Sequence, residues 1–172
     1  MSKILTKFLL VLSILTLCCN TSIARGFDFK AKASNGIYIF YKIISIPDRT
    51  IEVSFNNRKP SSYEGFIEIP DTVKYKDVTY TVTAIGDSAF YNCYELNGVR
   101  IPATVTSIGE SAFDASRIRT VEFSEGLKFI GDFAFRQCTQ LQDVNFPNSL
   151  ERIGKGAFIF CSNLYELNIT NN

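Results

Sequence analysis

The sequence predicts a repeat solenoid of short parallel strands, preceded by a β-rich segment, and three observations carry that prediction. A stretch beginning at Ile85, IGDSAFYNCYELNGVRIP, returns in near copy at Ile130 as IGDFAFRQCTQLQDVNFP. Aligned on phenylalanine, the chain repeats at Phe90, Phe113, Phe135 and Phe158, at intervals of 23, 22 and 23 residues, so four copies begin at Ile85, Ile108, Ile130 and Ile153. Each copy holds an alternating run, LNGVRI, IRTVEF, LQDVNF or LYELNI, with the period of two that belongs to half-buried strands. A single copy cannot bury its apolar face, whereas stacked copies can.

Residues 1–24 differ in kind from the rest. Lys3 and Lys7 precede an apolar run, FLLVLSILTL at residues 8–17, and Ser22-Ile23-Ala24 supplies the small residues of a signal-peptidase site. The expectation is a secretion signal and an exported chain. The run is about half the roughly 20 residues that a membrane span needs. Lipidation at Cys18 or Cys19, directly after LTL, is the alternative processing route and would keep the exported protein at a membrane surface, although Leu17 stands where a small residue is wanted. Removal of residues 1–24 takes two of the 18 basic residues and no acid, leaving 16 against 17 and a formal charge of −1. That balance gives no electrostatic case for nucleic acid or an anionic membrane. Three of the five cysteines remain, Cys93, Cys138 and Cys161, and an odd count in an exported protein leaves at least one thiol free or paired with another molecule.

Residues 25–82 read as a β-rich N-terminal cap and the lead-in to the repeats. GIYIFYKIISI and TIEVSF are β-rich runs separated by PDR and followed by the loop-like NNRKPSS, which together predict a β-hairpin cap over the first edge of the solenoid. Tyr38, Tyr41 and Tyr63 are an alternative here, a small aromatic binding surface.

Residues 83–172 hold the four repeats of 22–23 residues. Gly86, Gly109, Gly131 and Gly154 fall at one turn, where the expectation is a backbone position intolerant of a side chain, since no P-loop lysine accompanies them. Cys93, Cys138 and Cys161 each follow the repeat phenylalanine by three residues, with Ser116 at that position in the second copy, as core-filling thiols in a stacked column would. Cys138 and Cys161 would lie about 5 Å apart on neighbouring rows and are the one pair near enough to cross-link.

A period of roughly 20–29 residues centred on L-x-x-V-x-I marks a leucine-rich solenoid. The fuller pattern, I-G-x-x-A-F-x-x-C-x-x-L-x-x-V-x-I-P, resembles the BspA-like leucine-rich repeat of bacterial and protist surface proteins. The Ala-Phe before the cysteine and the proline after the strand separate it from other leucine-rich repeats. The resemblance covers residues 83–169 and extends upstream through GFIEIPDTVKYKDVTYTVTAIG, where Ile69-Pro70 stands as Ile101-Pro102 does later. It implies short parallel strands joined by turns or short helices, and an adhesin-like protein that binds an extracellular-matrix or other cell-surface protein.

The chemistry that is missing narrows the function further. The chain has no histidine, which excludes Ser-His-Asp and Cys-His catalysis and the usual His-containing zinc sites. Glu122, Asp143 and Glu166 share a face, but no motif singles out an acid/base pair for sugar hydrolysis. The expectation is therefore no catalytic residue, no metal and no cofactor. With Val and Ile of V-x-I pointing inward, the residues between them point out: Gly98 and Arg100, Thr120 and Glu122, Asp143 and Asn145, Glu166 and Asn168. All but Gly98 make the candidate binding surface. Two alternatives stay open, a carbohydrate-binding protein using tyrosines and carboxylates, and a short remnant of a longer surface array. The sequence stops three residues after Ile169, so the apolar column of Phe158, Leu164, Leu167 and Ile169 is expected to stay uncovered and to drive self-association through the C-terminal edge.

Overall fold

The computed structural model describes residues 26–56 and 63–168, with no side-chain detail at Leu167 and Asn168. The expected signal segment, with Cys18 and Cys19, and Ile169 lie outside the described residues, as does most of NNRKPSS. Among the described residues there are thirteen strands and no helix. They are β1 (Phe29–Lys32), β2 (Tyr38–Ser45), β3 (Thr50–Val53), β4 (Glu64–Glu68), β5 (Thr72–Tyr75), β6 (Val78–Ile85), β7 (Glu95–Ile101), β8 (Ser107–Ile108), β9 (Thr120–Phe123), β10 (Phe129–Ile130), β11 (Asp143–Asn145), β12 (Arg152–Ile153) and β13 (Glu166–Asn168). One sheet runs β1-β2-β3-β6-β8-β10-β12, with β5 paired to β6; the other runs β4-β7-β9-β11-β13.

Each copy of the motif gives one strand to each sheet, and the fixed period sets the register. Val99 pairs with Val121 and Ile101 with Phe123 in one sheet, while Ile85, Ile108, Ile130 and Ile153 follow one another in the other, all in parallel ladders. Each of these inward apolar positions therefore meets an apolar position, and a shift of one residue would turn the buried set outward. Between the sheets the phenylalanine rings stack with centroids 4.8, 4.9 and 5.0 Å apart and planes within 10°. That spacing matches the roughly 4.8 Å between neighbouring strands.

The turns are ladders as well. Phe90 donates its N–H to Ala112, Phe113 to Ala134 and Phe135 to Ala157, each at 2.7 Å. The turns contain left-handed residues at fixed places, Ser88 and Asn92, Ser111 and Ala115, Phe133 and Gln137, with φ between 53° and 59°. Two such residues per turn interrupt any helix, which is why the connections are turns throughout the described repeats.

The parallel rows begin upstream of the first Ile-Gly motif. β3 pairs with β6 and β4 with β7, both parallel, and Tyr63 sets its ring 4.7 Å from Phe90 at the head of the phenylalanine column. β1 and β3 each pair antiparallel with β2, with β2 and β3 joined through residues 46–49. Between β4 and β6 the chain adds a hairpin, β5 to β6, that turns on Lys76 and Asp77 at φ 47° and 64°. Tyr41 and Tyr63 are buried at 1% exposure, so of the three tyrosines considered as an aromatic surface only Tyr38 is exposed. Tyr63 is held in place by its hydroxyl, which accepts the Phe40 N–H at 3.2 Å.

Candidate binding face

The outward side of the second sheet is built by the same register that builds the core. Thr120 pairs with Gly98 on one side and Asp143 on the other, and Asp143 pairs with Glu166, so these positions form one file across the rows. Glu68, Arg100 and Glu122 form a second file, and Asn145 and Asn168 pair at the corresponding place in later rows. Arg100, Thr120, Glu122, Asp143, Asn145 and Glu166 are all exposed. Alternate residues of a strand are about 7 Å apart and rows about 4.8 Å, which makes this a regular grid of polar groups.

Within the grid the charges are ordered by neighbours. The Arg100 guanidinium bridges Glu122, Nε to Oε2 at 2.6 Å, and Glu68, and lies 5.8 Å from the Phe66 ring centroid. The hydrogen bond and charge of Glu122, assisted by Glu68, raise the Arg100 pKa further above its ordinary value. Asp143 and Glu166 instead stand side by side in adjacent rows, like charge against like. Gly98 presents nothing outward: a Cβ there would lie 2.5 Å from Thr120 Oγ1 and 2.7 Å from Phe66 Cδ2, because the Phe66 ring covers the position.

Sequence reasoning missed part of this face. Glu68 and Phe66 occupy the places of Arg100 and Gly98 one row earlier, and their signal was present in FIEIP beside VRIP. It also missed the exposed residues that precede each row's first outward position, Asn97, Arg119, Gln142 and Tyr165. These are tied row to row through the backbone, Arg119 N–H to the Asn97 carbonyl at 2.8 Å and Gln142 N–H to the Arg119 carbonyl at 3.3 Å.

The thiols do more than fill space. Among the described residues none of the three is in a disulfide; Cys138 donates to the Phe113 carbonyl at 3.1 Å and Cys161 to the Phe135 carbonyl at 3.0 Å, each reaching back one row. Burial pushes the Cys93 thiol up to about 12 and also raises Cys138, which keeps both protonated as donors. Among the described residues no group of three His, Cys, Asp or Glu side chains is placed to hold a metal ion.

Residues 67–172 match a family model described as "BspA type Leucine rich repeat region", in six copies. The fold is similar to a leucine-rich repeat protein from Bacteroides capillosus, at 27% identity over 73% of this chain and 88% of that one, TM-score 0.61. It is also similar to the T. pallidum leucine rich repeat protein, at 26% identity over 78% of this chain and 58% of that one, TM-score 0.65. A leucine rich cell surface protein from Faecalibacterium prausnitzii is 28% identical over 80% of this chain and 35% of its own length, TM-score 0.64. The chain thus spans little more than half of the second and about a third of the third. No curated protein matches it.

Proposed function

The chain belongs to the BspA-type leucine-rich-repeat family, and on that premise we propose that it is an exported, non-enzymatic, adhesin-like module that holds a matrix or cell-surface protein against the outward face of β7, β9, β11 and β13. The observation that carries this reading is the register, which sets Arg100, Thr120, Glu122, Asp143, Asn145 and Glu166 in files over consecutive rows. Asn168 joins them by its pairing with Asn145. In this reading β1 to β3 cap the first edge of a solenoid whose repeats occupy residues 83–172. A stiff polar grid suits a partner several strands wide, and the stacked carboxylates of Asp143 and Glu166 favour one that brings a cation.

The test is a charge exchange. Arg100→Glu with Glu122→Lys keeps an opposite-charge pair in place, and adding Asp143→Lys and Glu166→Lys inverts the rest of the face. Attachment to an immobilised matrix protein is expected to weaken at least about tenfold while unfolding free energy moves by no more than about 0.5 kcal/mol. Asp87 and Asp132 are unsuitable as neutral controls, because their carboxylates accept the N–H groups of Glu110 and Lys155 from the next row, both at 2.8 Å. Glu110→Lys and Lys155→Glu, at exposed turn positions, serve instead. Undiminished attachment by the inverted face would remove it as the binding surface.

Export follows from Lys3, Lys7 and residues 8–17: intact-mass analysis of the natural protein is expected to show a chain beginning near Arg25, or one lipidated at Cys18 or Cys19. A full-length, unmodified chain would refute both routes. Self-association belongs to the same reading. Among the described residues no strand pairs with the outer edge of β12 or β13, and Ile153, Ile159, Phe160 and Tyr165 are 40%, 41%, 65% and 74% exposed beside those edges. Phe158 and Leu164, expected to form the open column, are instead half-buried. Sedimentation should show concentration-dependent association that Phe160→Asp with Tyr165→Lys abolishes; a monomer at millimolar concentration would end the idea.

A further inference from the structure

A groove of about 430 Å³ crosses three rows beside the strand face, lined by Tyr94 and Asn97 from one row, Arg117 and Arg119 from the next, and Thr139 and Gln140 from the third. Its lining contains two guanidinium groups and no carboxylate. Arg100 and Arg136 are each held by carboxylates, whereas among the described residues no carboxylate lies within ion-pair range of Arg117 or Arg119. Two unneutralised cations side by side are an unusual concentration in a chain whose formal charge is only +1.

We propose that this groove is a second binding site, which takes an extended acidic segment of a partner protein with carboxylates on alternate residues. The proposal rests on the reading of the chain as a protein-interaction module and adds a site and a partner chemistry to it. Arg117 and Arg119 flank the buried Ile118, so both side chains emerge on the outer side of an extended stretch leading into β9. Alternate residues of an extended chain repeat every 7 Å or so, the same spacing as the Glu residues of a Glu-x-Glu peptide laid alongside. Each guanidinium offers a planar fork that matches a carboxylate in two hydrogen bonds. Asn97, Thr139 and Gln140 supply donors and acceptors for the peptide backbone between those anchors.

The geometry favours a carboxylate-bearing peptide over a sugar. The Arg117 guanidinium sits over the Tyr94 ring, 5.4 Å from its centroid, so that face of the aromatic is covered and cannot stack on a pyranose. The same contact holds Arg117 in place and reduces the side-chain entropy lost on binding.

Fluorescence anisotropy with a labelled Gly-Thr-Glu-Thr-Glu-Thr-Gly peptide tests the site on the full protein. Binding is expected at low ionic strength, to weaken with added salt, and to fall at least tenfold when both Glu become Gln. Arg117→Ala with Arg119→Ala should also lose at least tenfold; Lys128→Ala with Lys155→Ala, the same charge removed elsewhere, should leave binding unchanged and so exclude a net-charge effect. Equal binding by the double arginine variant or by the Gln peptide overturns the proposal. So does a heparin-derived tetrasaccharide that binds through the arginines when the Glu peptide does not. If inverting Arg100, Glu122, Asp143 and Glu166 abolishes attachment to the matrix protein while the arginine variant leaves both peptide and matrix binding intact, this site fails and the strand-face reading stands. If the peptide binds through the arginines and no matrix protein attaches, the strand-face reading fails and this site stands.

Discussion

Replacing Phe113 with alanine is expected to lower the unfolding free energy by about 3–5 kcal/mol. The ring is fully buried and sits between Phe90 and Phe135 with centroids 4.8 and 4.9 Å away, so its removal opens a gap in the middle of the column. The gap cannot close by sliding the rows together, because the sheet ladders on both sides and the turn bonds Phe90 to Ala112 and Phe113 to Ala134 fix the row spacing. Phe113→Leu, which keeps most of the volume, should cost less than about 1.5 kcal/mol. Phe158→Ala should also cost less, since that ring is half-buried and stacks in the column on Phe135 alone among the described residues. In a stacked array each row is stabilised by its neighbours, so a void in one row also uncouples those on either side. The urea transition of Phe113→Ala should therefore broaden as well as shift. The chain has no tryptophan, so circular dichroism is the suitable probe. A loss under about 1 kcal/mol in a folded variant would mean that the ring column is not the stabilising core.

Much of this arrangement is legible in the sequence, and the limits have physical causes. The interval between phenylalanines fixes the register because a parallel ladder can only place like positions side by side, and V-x-I separates inward from outward residues at once. The first row is hidden in part because it keeps only the strand mark, FIEIP: Val53 stands in for the motif isoleucine, and Tyr63 replaces the phenylalanine without the preceding Ile-Gly. The β5–β6 hairpin is hidden because its turn uses Lys76-Asp77 in left-handed backbone, where Asn-Gly would have announced it. The absence of helix in the connections depends on Ser, Asn, Gln, Ala and Phe adopting positive φ, which none of them signals. The thiols show where packing and hydrogen bonding diverge. Their periodicity predicts a column, but the acceptors of Cys138 and Cys161 belong to the previous row and are defined only once the rows are stacked.

The same stacking makes Gly131→Ala the other substitution of large effect, with an expected loss of about 3 kcal/mol. Gly131 does not adopt a left-handed backbone, so the requirement for glycine there is close approach to the neighbouring row. A Cβ would lie 2.7 Å from the Gly109 carbonyl carbon and 2.9 Å from the Glu110 nitrogen, both backbone atoms that no rotamer change can move. The row cannot retreat either, because the Gly131 N–H donates to the Ile108 carbonyl at 2.8 Å and a shift large enough to admit a methyl group would break that bond. Gly65→Ala provides the contrast. Gly65 has φ 68° but open space around its Cβ position, so alanine there meets only the backbone preference, about 1 kcal/mol. Equal losses for the two variants would show that the Ile-Gly turn is kept for conformation and not for contact. A loss at Gly131 well above that at Gly65, matched by Gly109→Ala where the Cβ would meet the Asp87 N–H nitrogen at 2.7 Å, ties the recurring glycine to the distance between rows, the same distance that spaces the charges on the binding face.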